Sequence, residues 1–399
     1  MFSFILHESS GIVKEGKACF FEALPVQLTT QENTEGENNG SMKTSIPEKR
    51  IQAEDQKIKT AVPIIIEWYR GNKRVLPWRE DVTAYRVWIS EIMLQQTRIE
   101  TVIPYYRRFL QEIPDIAALS ATDEEKLLKL WEGLGYYSRA RNLKKAAALV
   151  MDTYGGSLPQ TAEELKKLPG IGEYTAGAIA SIACGEAVPA VDGNVMRVIT
   201  RLLACPEDIA DAKTKKYIAA LLQKHYPEGE KAALLTEGLM ELGEILCLPN
   251  AAPKCAACPL HLQCTAHQTG QETAFPVQIG KKERRYEQKT VFLFQCHGKT
   301  AVRKRSDKGL LAGLWEFPNC EGWCDEASAI RQAEAWGACP EDVEECGAAK
   351  HIFTHVEWEM RGFRLLCREE TGNFTWATTE EMKNTYSIPT AFRKFQMLL

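Results

Sequence analysis

The sequence contains no run of about 18 apolar residues, the length a bilayer-spanning helix requires, so no membrane-spanning helix is expected. Its start, MFSFILHESS, lacks both the basic segment and the small-residue cleavage site of a secretory signal, so export is not expected. Thirteen cysteines is an odd number. Without export, metal ligation or buried thiols suit them better than a disulfide framework. No internal repeat is evident. Charge of one sign is hardly in excess, at 49 basic and 53 acidic residues and a net of −4. The total therefore gives no support to a nucleic-acid partner, but its distribution is uneven. Residues 325–382 hold 13 acids against 5 basic residues, and residues 281–308 hold 10 basic residues against 3 acids. A mildly charged chain can still present a basic face. What is present is an ordinary globular composition, 45% hydrophobic and 26% charged, over 399 residues. That length suits two or three domains.

The first 57 residues include QENTEGENNGSMKTS, a polar stretch that reads as disordered, and residues 1–57 are taken as an N-terminal extension. Residues 58–265 are taken as one domain, and from about residue 58 to 246 the apolar residues recur at helical spacing. Ile64, Ile65, Trp68 and Tyr69 share one face, and Thr83 precedes AYRVWISEIML. Thr122 with Glu125, and Thr161 with Glu164, have the spacing of capping boxes. This block is expected to be all-α. Residues 266–289 are polar and charged and read as a linker. From residue 290 to 399 the period changes, and TVFLFQC, LWEFP, HIFTHVEWEM and GFRLLC are strand-like while DEASAIRQAEAW is helical. A separate α+β domain follows, and the fold class is multidomain.

Within the helical block, LKKLPGIGEYTAGAI (165–179) predicts one helix, a turn at Pro169, Gly170 and Gly172, and a second helix opening near Tyr174. Glycine lets such a turn bring backbone N–H groups close to a ligand, and those amides stand beside a helix N-terminus, a natural anion site. A DNA phosphate fits, as does an ordinary αα-hairpin with no ligand. Asp192, in VPAVDGNVMRV, stands where an N-cap would. Four cysteines, Cys247, Cys255, Cys258 and Cys264, form C-x7-C-x2-C-x5-C. Structural zinc usually recruits two paired knuckles; one knuckle with two unequal arms suits a [4Fe–4S] cubane better. Glu91 lies between Trp88, Ile89, Ile92, Met93 and Leu94. A carboxyl buried there would have a raised pKa and could serve as a general acid, although a Glu on a helix more commonly faces solvent.

LPWR (76–79), SEIMLQQTR (90–98), GLGYYSRARNL (133–143), LPGIGEYTAGAI, VDGNV and the four cysteines, in that order, resemble the MutY-type adenine DNA glycosylases of the helix–hairpin–helix superfamily. The resemblance spans about residues 58–399. It implies a monofunctional enzyme that removes adenine mispaired with 8-oxoguanine or guanine in double-stranded DNA. Glu91 would protonate adenine, and Asp192 would stabilise the oxocarbenium ion, directly or through a transient covalent adduct. Tyr174 and Asn194 would support Asp192 and the sugar. Trp78, Arg79 and Glu237 would line the adenine pocket. Gln96 and Tyr136 would wedge into the base stack, and Gly170 and Gly172 would meet a phosphate. The cysteines would hold a [4Fe–4S] cluster, with one residue more in the first interval than is usual. The family's strand-cleaving relatives carry a Schiff-base lysine where this chain has Tyr174, so no lyase step is expected.

The C-terminal segment, with GLLAGLWEFPN, looks like a Nudix-type fold without that fold's metal-binding glutamates, so a recognition module is favoured over nucleotide hydrolysis. Its HIFTHVEW resembles the loop by which the family contacts 8-oxoguanine, here Phe353, Thr354 and His355. The resemblance implies a monomer, no membrane partner and a bacterial cytoplasmic location. Two other readings remain open on residues alone: a glycosylase/lyase for oxidised pyrimidines, and a DNA-binding module with a structural metal.

Overall fold

The computed structural model describes residues 47–399 apart from 250, 281 and 282. The expectation of disorder for residues 1–46 lies outside the described residues. Residues 48–57 depart from it: a helix runs Glu48–Asn72 without a break. Its polar first turns are fastened by distant partners. Arg50 bonds Glu54 and, through both terminal nitrogens, Glu207 at 2.6 and 2.7 Å, and Lys57 Nζ donates to the Gln263 carbonyl at 3.1 Å.

Two apolar cores organise the helical part. One gathers the helices Ala84–Leu94, Ile99–Glu112, Ser138–Thr153 and Glu173–Cys184 around Trp88, Tyr106, Phe109 and Trp131. The other gathers Glu48–Asn72, Gly193–Leu203, Ala212–Gln223 and Glu230–Ile245 around Ile65, Tyr69, Ile199 and Leu235. The caps follow the sequence in most places. Thr83 accepts from the Arg86 N–H, and Thr161 accepts from the Glu164 N–H. Thr122 does not cap as its spacing predicts: it ends the preceding helix Ile116–Ala121, its hydroxyl donating to the Ala118 carbonyl at 2.6 Å, and Asp123 takes the N-cap of Glu124–Leu130 by accepting from the Glu125 N–H. In the hairpin, Gly170 has φ +79°, and a Cβ there would stand 2.7 Å from the Asn142 Cβ. Only glycine makes that close left-handed turn without strain.

The C-terminal part is a seven-stranded sheet between two layers. β1 (Arg285–Cys296), β2 (Lys299–Lys304), β3 (Trp315–Glu316), β5 (Pro340–Ile352) and β6 (Val356–Cys367) lie in the order β3-β2-β1-β6-β5, with β4 (Asn319–Glu321) on β1 and β7 (Thr375–Thr378) on β2. β1 and β6 are parallel, paired from Arg285 with Val356 to Gln295 with Leu366. Both faces of β1 are buried, which is why TVFLFQC is continuously apolar. Val291 and Leu293 meet Phe392 and Phe395, while Phe292 and Phe294 meet Ala329 and Ala333 of the helix Glu326–Ala335.

The expected linker 266–289 is shorter than its composition suggests. The strand ladder begins at Arg285, because parallel pairing with β6 extends into the charged stretch. Before it, the carbonyls of Phe275 and Val277 accept from Arg201 and from the Ile209 N–H, so this segment is laid onto the helical part. Part of the basic stretch is neutralised in place: Lys299, Lys304, Arg303 and Arg305 pair with Glu370, Glu125 and Glu316.

Candidate active site and cysteine centre

A cavity of about 630 Å³ opens where the two helical cores meet. The first core contributes Glu91, from the helix Ala84–Leu94, and Tyr174, from Glu173–Cys184. The second contributes Asp192 and Asn194 at the start of Gly193–Leu203, and Glu237 and Glu241 from Glu230–Ile245. Trp78 and Arg79 close another wall. Gly243 allows the approach of two of these helices, since a Cβ there would meet the Asn194 Cβ at 2.6 Å.

Glu91 is 6% exposed on a helix whose positions 87–93 are all buried. Burial raises its pKa to about 7, against a hydrogen bond from Tyr174 that favours the carboxylate; Asp192 and Glu237 nearby push it further up. The Tyr174 hydroxyl donates to Glu91 Oε2 at 2.6 Å. The direct partner of this hydroxyl is thus Glu91, with Asp192 nearby, and burial beside the two carboxyls holds the phenol protonated and donating.

Asp192 plays the N-cap role its position predicts, Oδ1 accepting from the Val195 N–H at 2.7 Å, and it also lines the cavity. Burial pushes its pKa up; the N–H groups of Val195 and Asn194, Arg197 and the Asn194 side chain all act the other way. These donors at a helix N-terminus favour the ionised form. Glu91 has a single phenol donor for the same purpose.

Arg79 is fixed between Glu241, at 2.9 Å, and Glu237, at 3.3 Å. Burial raises the pKa of Glu237. Burial works on Glu241 likewise, yet hydrogen bonds from Arg74 and Arg79 outweigh it and hold this carboxyl below its ordinary value. Arg74 and Glu241 were not singled out from the sequence. The signal for Glu241 was its i+4 spacing from Glu237 on an apolar helix; Arg74 offered none. Among the described residues, none of those lining the cavity is a lysine.

Gln96 and Tyr136 stand outside the cavity's depths, both exposed and both at left-handed backbone angles, φ 57° and 48°. The Tyr136 hydroxyl shares a 2.6 Å hydrogen bond with Thr354 Oγ1. Tyr136 and Thr354 thus meet in a cleft of about 380 Å³ bounded by Gly135–Ser138, Gly309–Ala312 and Ile352–Val356, while Gln96 lies at the larger cavity. Thr354 and His355 are exposed at the β5–β6 turn. The Phe353 ring instead packs on His351 and Trp358, with centroids 4.6 and 4.9 Å apart, and so props the turn. Gly170 and Gly172 are exposed at the N-terminus of Glu173–Cys184.

The four cysteines line one pocket, free of disulfides, walled by Val198, Leu202, Leu242, Leu246 and Leu260. The long first interval is absorbed as an excursion: the Lys254 N–H returns to the Leu246 carbonyl at 2.8 Å, which brings Cys247 and Cys255 to the same side. Arg201 Nη1 lies 3.2 Å from Cys247 Sγ, a cation that offsets thiolate charge. His267 and Glu272, 2.6 Å apart, gather beside Cys255. The donor set, its apolar wall and its cation fit a four-thiolate cluster. Arg197 and Arg201 also tie this centre to the helix that Asp192 caps, through the carbonyls of Cys247 and Leu248.

Two family comparisons divide the chain as the fold does. Residues 89–228 match the HhH-GPD superfamily of base excision DNA repair proteins. Residues 290–397 match the NUDIX domain. A protein of Arabidopsis thaliana named adenine DNA glycosylase is 36% identical over 84% of this chain, which spans 57% of that protein. One of the same name from Rattus norvegicus is 33% identical, over 83% of this chain and 76% of its own length. A third, from Buchnera aphidicola, is 35% identical over 64% of this chain and 74% of its own length. No described helix is long and apolar enough to cross a membrane.

Proposed function

Since this chain belongs to the adenine DNA glycosylase family of base excision repair proteins, we propose that it excises adenine mispaired with 8-oxoguanine or guanine in duplex DNA, as a monomer and without a lyase step. The observation that carries this reading is the pairing of two unlike carboxyls in one cavity: Glu91, with a pKa raised to about 7, and Asp192, whose pKa burial also pushes up but which the N–H groups of a helix N-terminus and Arg197 draw toward the ionised form.

A base inside a duplex is out of reach, so the nucleotide is flipped into the cavity at a cost of a few kcal/mol. Gln96 and Tyr136 fill the gap it leaves, and the glycine hairpin holds a phosphate on its N–H groups. Trp78, Arg79 and Glu237 receive the base. Glu91 delivers its proton to adenine N7. The bond from the sugar to adenine then breaks with its electron pair going to the base, and the positive charge left on the sugar faces the Asp192 carboxylate. Water adds to the cation and gives up a proton, which restores the Glu91 acid spent on the base. Asn194 steadies Asp192, and Tyr174 steadies Glu91. With no lysine in the lining, no amine is placed to attack the sugar.

Thr354 and His355, exposed across the cleft from Tyr136, are the groups proposed to read 8-oxoguanine. Single-turnover release of adenine from A:8-oxoguanine and A:G duplexes tests the whole reading. The first should be the faster substrate, and replacing Thr354 by Val should cut that preference by about tenfold, the worth of one good hydrogen bond. A protein that binds both duplexes and releases no adenine from either would refute the proposal.

Cys247, Cys255, Cys258 and Cys264 are proposed to hold a [4Fe–4S] cluster. Bound there, the cluster would supply four metal–thiolate bonds that fasten the loop to the helix behind Asp192. Purified protein should contain about four irons and four sulfides per chain; zinc in place of iron would reject the cluster.

A further inference from the structure

Arg139 is buried at 8% exposure, and among the described residues its hydrogen-bond partners are backbone carbonyls rather than carboxylates. A guanidinium in that position would be costly if its donors were idle; Nε has no partner among the described residues, but the two terminal nitrogens meet five backbone carbonyls. The division of labour between its two terminal nitrogens is the informative feature. Nη1 donates to Ile92, Met93 and Gln95, at 2.6, 3.0 and 2.9 Å. Nη2 donates to Leu134 and Gly135, both at 3.0 Å. The first set is the C-terminal end of the helix Ala84–Leu94, immediately before Gln96. The second is the turn immediately before Tyr136. The same guanidinium lies over the rings of Tyr136 and Trp131, 5.6 and 5.4 Å from their centroids.

Both following residues hold left-handed backbone angles, which side chains other than glycine adopt only where their surroundings impose it. Arginine's fork is planar and rigid, so one nitrogen per loop fixes the distance between the loops. Its charge also suits the carbonyl-rich end of a helix.

We propose that Arg139 is a positioning residue that sets the spacing of the two stack-filling side chains, Gln96 and Tyr136, and thereby serves base extrusion rather than bond cleavage. The inference rests on the base-flipping reading above. It assigns Arg139 no contact with the reacting atoms. Lysine cannot substitute, because one ammonium cannot face both sets of carbonyls in a fixed plane.

The experiment uses the full chain with its metal content intact, as wild type, Arg139→Lys and Arg139→Met. The lysine variant keeps the buried charge and guards against a trivial loss of folding. Two substrates are compared in single turnover: an A:8-oxoguanine duplex, and a duplex in which the target adenine faces an abasic site and is already unpaired. Extrusion is followed separately by 2-aminopurine fluorescence in place of the target adenine. Both variants should lose about 10²-fold on the mispaired duplex, the scale of a misplacement of about 1 Å. They should also lose most of the fluorescence rise, and stay within about threefold of wild type on the unpaired adenine. Equal losses on both substrates would overturn the inference in favour of general structural support. Wild-type behaviour by Arg139→Lys on both would overturn it as well. Failure of the wild type to release adenine from either substrate would be a different result, refuting the function on which the inference stands.

Discussion

Replacing Glu91 by Gln should lower adenine release from an A:8-oxoguanine duplex by about 10²–10⁴-fold, the usual contribution of a positioned proton donor, while leaving duplex affinity within about twofold. The amide keeps the shape of the side chain, and its oxygen can still accept from Tyr174. What it cannot do is hand a proton to a leaving purine. The wild-type rate should carry the signature of that proton. With Glu91 titrating at about 7, the single-turnover rate should fall about tenfold per pH unit above neutrality. It should also decline at low pH, once Asp192 takes up a proton. A Glu91→Gln variant with undiminished rate, or a wild-type rate that is flat between pH 6 and 9, would refute Glu91 as the acid.

The same substitution has a second consequence of opposite sign. A carboxyl raised from 4.5 to about 7 in the folded chain binds a proton that the unfolded chain gives up. The native state therefore loses stability as pH rises from about 4.5 to about 7, and above that the loss is complete, about 3 kcal/mol. Gln has no charge to bury. Thermal unfolding of Glu91→Gln should thus lie a few degrees above wild type at pH 8 and close to it at pH 4.5. An enzyme that stores an acid in an apolar wall gives up stability to do so, and the variant should recover it.

The burial of Glu91 was legible because its helix is apolar on every side: Trp88, Ile89, Ile92 and Met93 leave it nowhere wet to go. The four cysteines were legible because ligation constrains local spacing. Arg74, Glu241 and Arg139 were not, for one physical reason. An arginine or glutamate in a sequence reads as a solvated side chain, and what buries it lies far along the chain. Arg74 and Glu241 are 167 positions apart, and Arg139 reaches carbonyls 44 to 47 positions away. The polar start of the Glu48–Asn72 helix was misjudged on the same ground, since Glu207 and Gln263 hold it. Tyr174 was expected near the start of its helix, where it lies, but its hydrogen bond to Glu91 was not legible. Spacing gives the position of a side chain along an element, while the direction of its hydroxyl depends on the packing of a second helix.

Asp192 is where a structural and a chemical role coincide in one side chain, and substitution can pull them apart. Asparagine caps a helix about as well as aspartate, so Asp192→Asn keeps an oxygen for the Val195 N–H and removes only the charge. Alanine removes both and should cost about 1 kcal/mol of stability through the lost cap. If Asp192 is only a cap, Asp192→Asn should resemble wild type in rate and in melting temperature. If its charge faces the cationic sugar, Asp192→Asn should melt at or slightly above the wild-type temperature, because a buried carboxyl has been neutralised. It should nevertheless release adenine about 10²–10³-fold more slowly, the loss typical when one preorganised electrostatic contact is withdrawn from a transition state. Differential scanning fluorimetry beside single-turnover kinetics reads both quantities on the same samples. An intact fold with a lost rate would separate the cap from the chemistry; a wild-type rate and melting temperature in Asp192→Asn would leave Asp192 as nothing more than the cap of its helix.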